Sequence, residues 1–83
     1  MMLQVLYFAW VREKIGRPSE KIQTNALTVR QLIIELCEKG ENYKLAFSNL
    51  SEIKVALDQD MADFDSSLSG ITEVAFFPPM TGG

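Results

Sequence analysis

Hydrophobic and polar residues alternate near the start of the chain as they do in half-buried strands. Residues 3–9 are rich in Val, Leu, Tyr and Phe and predict a first strand. Residues 10–15 fit a short helix that Gly16 ends. Residues 19–24 alternate again, with Ile22 as the inward residue, so they predict a second strand antiparallel to the first.

Helical spacing follows. Thr28 and Gln31 fit a capping box, in which the hydroxyl and amide side chains satisfy free backbone amides at a helix start. The main helix is predicted to run to Lys39, and Gly40 ends it. Residues at helical spacing give it one apolar face, formed by Val29, Leu32, Ile33, Leu36 and Cys37.

The second half of the chain contains shorter elements. Residues 41–51 are interpreted as a loop or a short helical turn, and residues 53–57 alternate as a strand does. A turn at 58–60 leads to a short strand near Met61, and a final strand is predicted over residues 73–77. Pairing must stop there because Pro78 and Pro79 have no amide hydrogens to donate.

Composition places these elements in one domain. With 83 residues, 47% hydrophobic and 23% charged, we expect a single domain over 1–83 in which 78–83 form a flexible functional tail. One cysteine excludes an internal disulfide, and no apolar run is long enough for a signal peptide or membrane span, so a cytoplasmic protein is expected. A net charge of −3 without basic runs argues against nucleic acid or membrane as a partner.

Candidate sites for independent chemistry are few. The chain has no histidine, the commonest general base, so we expect no active site and no bound cofactor of its own. Four aspartates, Asp58, Asp60, Asp63 and Asp65, lack the glycine and glutamate of a calcium loop, and we expect no metal. Cys37 lies among apolar helix positions and is expected to be a buried, inert thiol.

The C-terminal residues offer a different kind of site. After Pro78 the chain is long enough to reach roughly 17 Å if extended, which would let it enter a partner's active site. The two prolines stiffen the start of this tail, although a frayed terminus would also be rich in glycine. On the last strand Ala75 and Phe77 share a face with Glu73, and Phe8 shares the equivalent face of the first strand. Met61 and Phe64 are expected to border that face, which is either a docking surface or ordinary core.

Three segments carry a resemblance to a known family. The order of elements resembles the α+β, ubiquitin-like β-grasp fold, a mixed sheet with one main helix packed on one face. The segments Val5-Leu-Tyr-Phe-Ala-Trp-Val-Arg-Glu13, Val55-Ala-Leu-Asp-Gln59 and above all Glu73-Val-Ala-Phe-Phe-Pro-Pro-Met-Thr-Gly-Gly83 look like the MoaD family, the sulfur-carrier small subunits of molybdopterin synthase. The similarity covers nearly the whole chain, except residues 41–52.

The resemblance implies a chemistry for the last residues. A ubiquitin-activating-like adenylyltransferase would use ATP to adenylate Gly83, and sulfur would then replace AMP to give a thiocarboxylate. The loaded tail, with Gly82 passing a narrow channel, would enter the large subunit of molybdopterin synthase and donate sulfur to cyclic pyranopterin monophosphate. The positions expected to contact partners are Phe8, Arg12, Met61, Phe77, Pro78, Pro79, Met80 and Thr81. A carrier for thiazole or another thiolation pathway, a protein modifier and a simple binding module are the alternatives.

Overall fold

Five strands form one mixed sheet in the computed structural model, which describes residues 1–79. The strands are β1 (Met2–Tyr7), β2 (Ser19–Gln23), β3 (Lys54–Leu57), β4 (Asp60–Ala62) and β5 (Glu73–Phe77). Their order across the sheet is β2-β1-β5-β3-β4, with β1 and β5 parallel and every other pair antiparallel. The first and last strands therefore lie side by side in the middle of the sheet.

Helices occupy one side of this sheet. They are α1 (Ala9–Ile15), α2 (Val29–Cys37) and α3 (Glu41–Ala46), followed by a 3-10 turn at Leu50–Glu52. The core forms where they meet one row of strand side chains, including Leu3, Val5, Tyr7, Val74 and Phe76. Phe76 lies at its centre, stacked with Tyr7 and edge-on to Phe47, with ring centroids 6.4 and 5.0 Å away. No helix of the described residues is long and apolar enough to cross a membrane.

Several element boundaries differ from the prediction, and the ends of β1 and α2 each differ by two residues. β1 ends at Tyr7 rather than Ala9, because Phe8 precedes α1 as its N-cap and Ala9 turns the chain at φ 51°. α2 ends at Cys37, with Glu38 as its C-cap, two residues before Lys39. Within 41–51, where a loop or helical turn was expected, α3 buries Tyr43 and Ala46.

The sequence correctly predicted only part of the hydrogen bonding at the start of α2. The Thr28 hydroxyl accepts from the Gln31 amide at 3.2 Å, but the Gln31 side chain accepts from Leu27, one residue before the cap. The segment 64–68 supplies the other partners. The amides of α2 residues 29 and 30 donate to the carbonyls of Ser66 and Phe64 at 3.2 and 2.7 Å. A distant loop therefore completes the cap.

A largely buried carboxylate joins the strands to the helices. Glu20, whose side chain is only 7% exposed, accepts from the hydroxyls of Tyr7 and Tyr43 at 2.8 and 2.7 Å. Its other oxygen lies 3.3 Å from Arg17 and 3.5 Å from Lys39. Burial raises the pKa of Glu20, but the hydrogen bonds from Tyr43 and Tyr7 and the two cations outweigh it, so the net pKa lies below the usual value of 4.5.

The β3–β4 turn contains two residues with positive φ. Leu57 pairs with Asp60, which leaves Asp58 and Gln59 as a two-residue loop with φ 48° and 74°. These values are those of a type I′ turn, whose twist matches the strands and whose second position favours glycine. Gln59 therefore holds a conformation that its side chain disfavours.

The Glu20 hydrogen bonds predict how stability depends on pH. Because the folded protein holds this carboxyl's pKa below its unfolded value, the stabilisation is complete above about pH 4.5 and is lost as pH falls through the folded pKa. We expect Glu20→Gln to lower the free energy of unfolding by about 2 kcal/mol at pH 7, since charged hydrogen bonds are lost. In urea titrations the difference in the free energy of unfolding between Glu20→Gln and the parent should become smaller at acid pH. Glu13→Gln, an exposed α1 control, should change little at any pH; a pH-independent difference for Glu20→Gln would contradict the assignment.

The turn geometry predicts a stabilising substitution. Gln59→Gly should raise the free energy of unfolding by about 1 kcal/mol, because glycine adopts φ near 74° without steric cost. Thermal unfolding should show a higher midpoint. Gln59→Ala is the matched control, because it shortens the side chain but keeps the β-carbon. Equal effects of Gly and Ala would show that backbone strain is not the cause.

Candidate functional site

One face of the sheet carries apolar side chains that no described helix covers. It is formed by the residues that alternate with the core positions of β1, β3, β4 and β5. Phe8 is 46% and Met61 66% exposed, and the others are half-buried. We call this surface the open-face patch, and its members are Leu6, Phe8, Ala56, Met61, Ala75 and Phe77.

The strand register makes the open-face patch continuous. Leu6 pairs with Ala75, Ala75 with Ala56, and Ala56 with Met61, so one apolar row crosses four strands. Residues paired in this way point to the same face. Four of the patch's six residues therefore lie in a single line across the sheet.

The second row of the patch lies where the chain leaves the sheet. Phe77 ends β5 and pairs with Lys54, whose side chain is exposed. Phe8 continues β1 beside it, donating its amide to the Phe76 carbonyl at 3.1 Å. The two phenylalanines share this edge without stacking, since the aromatic pairs of the described residues lie in the core. Half-buried Pro78 and Pro79 follow at once, so the patch borders the root of the tail.

A polar row closes the patch at the opposite end. Gln4 lies between Lys21 and Glu73 in the register. Beyond them Asp58 holds the start of β5: its Oδ1 accepts from the Thr72 hydroxyl at 2.8 Å and from the Glu73 amide at 2.9 Å, and its amide donates to the Glu73 carbonyl. These contacts with Thr72 and Glu73 hold the pKa of Asp58 below its usual range. The β3–β4 turn thus anchors the strand that carries the tail.

The other residues that were predicted to contact or border a partner do not belong to the open-face patch. Arg12 is exposed on α1 and forms no ion pair within residues 1–79. Phe64, expected beside Met61 at the border of the patch, lies instead next to α2, where the Arg30 guanidinium is 5.9 Å from its ring. Phe64 lies beside α2 because its backbone carbonyl caps that helix. The remaining positions lie outside the described residues; they are Met80, Thr81, Gly82 and Gly83.

Three of the four aspartates in residues 58–65 bind other groups of this chain. Asp65 forms a two-point ion pair with Arg30, at 2.9 and 3.3 Å. Asp63 accepts from the Asp65 amide and the Ser66 hydroxyl. Within residues 1–79 no three acidic or thiol side chains are arranged to hold a metal ion. Asp58, Asp63 and Asp65 thus have structural partners.

Cys37 is only half-buried, not fully buried as expected, because it lies at the end of α2 where the helix leaves the core. Burial raises the pKa of its thiol, and Lys44 offsets this only in part. A raised pKa reduces the thiolate fraction at neutral pH. The thiol is therefore poorly suited to act as a nucleophile.

Sequence reasoning did not find two of the residues that position this site. Asp58 was interpreted as a turn residue and as one of four clustered aspartates, and Glu20 only as part of an alternating strand. The Asp-Gln pair between two alternating segments indicated the turn that contains Asp58. Its partner Thr72 is 14 residues away in sequence, so the contact depends on the fold.

Comparison with known proteins gives the family. Residues 5–83 match the ThiS family. The "Molybdopterin synthase sulfur carrier subunit" of Escherichia coli (strain K12) is 35% identical over 82 residues, which cover 99% of this chain and 100% of that protein. Both comparisons extend over the open-face patch and the tail.

Solved structures agree on the fold. SAMP1 from Haloferax volcanii superposes with a TM-score of 0.79 at 19% identity, covering 100% of both chains. A chain of the complex of subunits 1 and 2 of Molybdopterin-converting factor from Helicobacter pylori gives 0.65 at 25% identity, again covering 100% of both. The predicted ubiquitin-like β-grasp fold is confirmed. The chain therefore belongs to the ThiS family, as a relative of the sulfur carrier subunit of molybdopterin synthase.

Proposed function

We propose that this chain is the sulfur carrier subunit of molybdopterin synthase. Gly83 is adenylated, converted to a thiocarboxylate and presented to the large subunit, where its sulfur passes to cyclic pyranopterin monophosphate. The chain supplies no catalytic group. A cytoplasmic location and an adenylyltransferase that consumes ATP belong to the same proposal.

One observation carries the proposal: the open-face patch adjoins the root of the tail. A partner bound over Phe8 and Phe77 receives residues 78–83 at the edge of its own contact surface. Pro78 and Pro79 restrict the backbone there, which lowers the entropy lost when the tail is inserted. An apolar, aromatic patch next to a polar row has the composition of a protein interface.

The chemistry explains why the tail ends in glycine. A carboxylate is a poor electrophile until one oxygen becomes a leaving group, which adenylation accomplishes at the expense of ATP. Attack by a sulfur nucleophile on the acyl adenylate forms the C–S bond and releases AMP with its electron pair. Without β-carbons, Gly82 and Gly83 leave room for two different active sites to close around the same carbonyl.

The relatives favour a carrier for molybdopterin synthesis over a carrier for another pathway. The E. coli relative is named for molybdopterin synthase, and the H. pylori structure holds two subunits of Molybdopterin-converting factor. The similarity to SAMP1, at 19% identity, supports only the fold. Binding to a cyclic-pyranopterin-binding large subunit is therefore the observation that would separate this function from a thiazole carrier or a protein modifier.

Sulfur loading can be measured directly by intact mass. After incubation with adenylyltransferase, ATP and a sulfur donor, the protein should become heavier by one oxygen-to-sulfur exchange localised to Gly83. Gly82→Leu should prevent loading or delivery, because a branched side chain beside the reacting carbonyl displaces it, and a shift near 1 Å costs about a hundredfold in rate.

The same variant provides its own control. Gly82 follows the last strand in sequence, so the free energy of unfolding should change by no more than about 0.5 kcal/mol. Pull-down of the large subunit should persist through the open-face patch. Normal loading and delivery by Gly82→Leu would contradict insertion through a channel sized for glycine. Failure of the parent to load would contradict the carrier function itself.

The docking role of the open-face patch predicts a separate loss. Phe77→Asp should keep the fold, because Phe77 faces the open side, and should weaken binding of the large subunit by about 2 kcal/mol or more, roughly thirtyfold. Calorimetry gives the affinity and circular dichroism the fold. Ile34→Asp is the matched control, since Ile34 is 58% exposed on α2, away from the patch. An unfolded Phe77→Asp protein, or unchanged affinity, would rule out the docking role.

A further inference from the structure

Lys54 is a charged residue that lies at the root of the tail. It begins β3 and pairs across the sheet with Phe77, the last residue of β5. Side chains of directly opposite residues point to the same face, with β-carbons about 5 Å apart. Lys54 therefore shares the open face with Phe77. Its side chain is exposed, and within residues 1–79 it forms no ion pair.

The aspartates that follow β4 do not pair with this cation. Asp63 comes directly after β4, the neighbour of β3 in the sheet. Its carboxylate accepts from the Asp65 amide at 2.9 Å and from the Ser66 hydroxyl at 3.3 Å, so it is turned toward its own loop. Asp65 is held by a guanidinium of α2. The ammonium of Lys54 is therefore available to a group outside this part of the chain.

The charges of the open face are distributed unevenly. The register places three charged side chains of the five strands on this face, Lys21, Lys54 and Glu73. Lys21 and Glu73 lie on either side of Gln4 at the end away from the tail, and their formal charges cancel. Lys54 stands alone at the tail end. On a protein with a net charge of −3, this end of the docking face is positive.

Docking over Phe77 would remove water from Lys54. The two side chains are direct neighbours, so a surface that covers the aromatic ring closely also covers much of the lysine stem. An ammonium that loses its water without gaining an acceptor is costly. A carboxylate placed beside it offsets that cost and favours one arrangement of the two surfaces over others. The apolar patch and the cation therefore ask for a partner with complementary chemistry.

We propose that Lys54 pairs with an aspartate or glutamate carboxylate of the molybdopterin synthase large subunit, next to the opening that receives the tail. This inference rests on the proposed function and adds the chemistry of the partner's surface to it. Burial of the apolar row is non-directional and tolerates sliding or rotation. The pair with Lys54 fixes which end of the open face lies at the opening, so Lys54 determines the orientation of docking.

The test is the affinity of full-length variants for the large subunit from the same organism, measured by calorimetry. Lys54→Glu should weaken binding at least about thirtyfold, because two carboxylates then face each other. Lys54→Met keeps an unbranched apolar stem and should weaken binding about tenfold, because the partner's carboxylate loses its cation. Lys54→Arg keeps the charge and should bind within about threefold of the parent.

Two controls separate a local pair from the overall charge. Lys14→Glu changes the net charge equally but lies exposed on α1, away from the sheet, and should bind within about twofold of the parent. Raising the salt concentration from about 0.05 to about 0.5 M should weaken the parent more than Lys54→Met, because only the parent holds the screened pair. Circular dichroism verifies each fold, and Lys54→Met decides the matter if Lys54→Glu is unfolded.

A charge swap identifies the partner's group. Each acidic residue around the opening of the large subunit is changed to lysine in turn. One of these changes should weaken binding of the parent and restore binding of Lys54→Glu, since it recreates the pair with the charges exchanged. The absence of any such rescue would contradict a specific pair.

The outcomes distinguish this inference from the function on which it rests. Equal weakening by Lys54→Glu and Lys14→Glu would show that only net charge matters. Normal affinity of Lys54→Glu, with Phe77→Asp weakened, would leave the docking patch in place and show that Lys54 stays in water at the rim. A parent that does not bind the large subunit at all would overturn the proposed function together with this inference.

Discussion

The parallel pairing of β1 with β5 is the constraint on which the rest of the structure depends. It places the first and last strands together in the centre of the sheet, so Val5 and Val74 are buried as neighbours. Parallel strands must be joined by a crossover, and everything from α1 to Thr72 forms that connection. The helices of this crossover cover one face of the sheet. The chain leaves the sheet at the edge of the opposite, open face.

Two polar anchors hold this arrangement. Glu20 connects β2 to Tyr43 of α3 and Tyr7 of β1 with a carboxylate whose pKa is raised by burial and lowered by a larger amount by its hydrogen bonds and the two nearby cations. Asp58 connects the β3–β4 turn to the start of β5 through Thr72 and Glu73. The first fixes the helices on the sheet. The second fixes the position of the strand that carries the tail.

The two faces of the sheet have different tasks in the proposed sulfur carrier. The helix face supplies stability through Phe76 and its neighbours. The other face is then free to stay apolar and exposed, at Met61 for example, without loss of the fold. In the proposed function, recognition and reactivity are thereby separated: the patch binds the partner, and the tail carries the reacting atom.

Much of this protein was determined by the sequence alone. Period-two alternation gave β1, β2, β3 and β5, helical spacing gave α2, and Pro78-Pro79 gave the end of pairing, because each signal is local to the residues that carry it. The alternation also placed Phe8, Ala75 and Phe77 on one face, but it did not decide whether that face was a docking surface or core. The family could be inferred from three segments, above all the last eleven residues, which resemble the MoaD family.

Only the tertiary structure decided the features that join distant segments. The carbonyls of Phe64 and Ser66 cap α2, which moves Phe64 away from the patch. The carboxylate of Glu20 became a buried acceptor because two tyrosines from other elements reach it. The continuous apolar row from Leu6 to Met61 depends on strand register. Register and long-range hydrogen bonds arise from the packing of the whole chain, so no local pattern of residues specifies them.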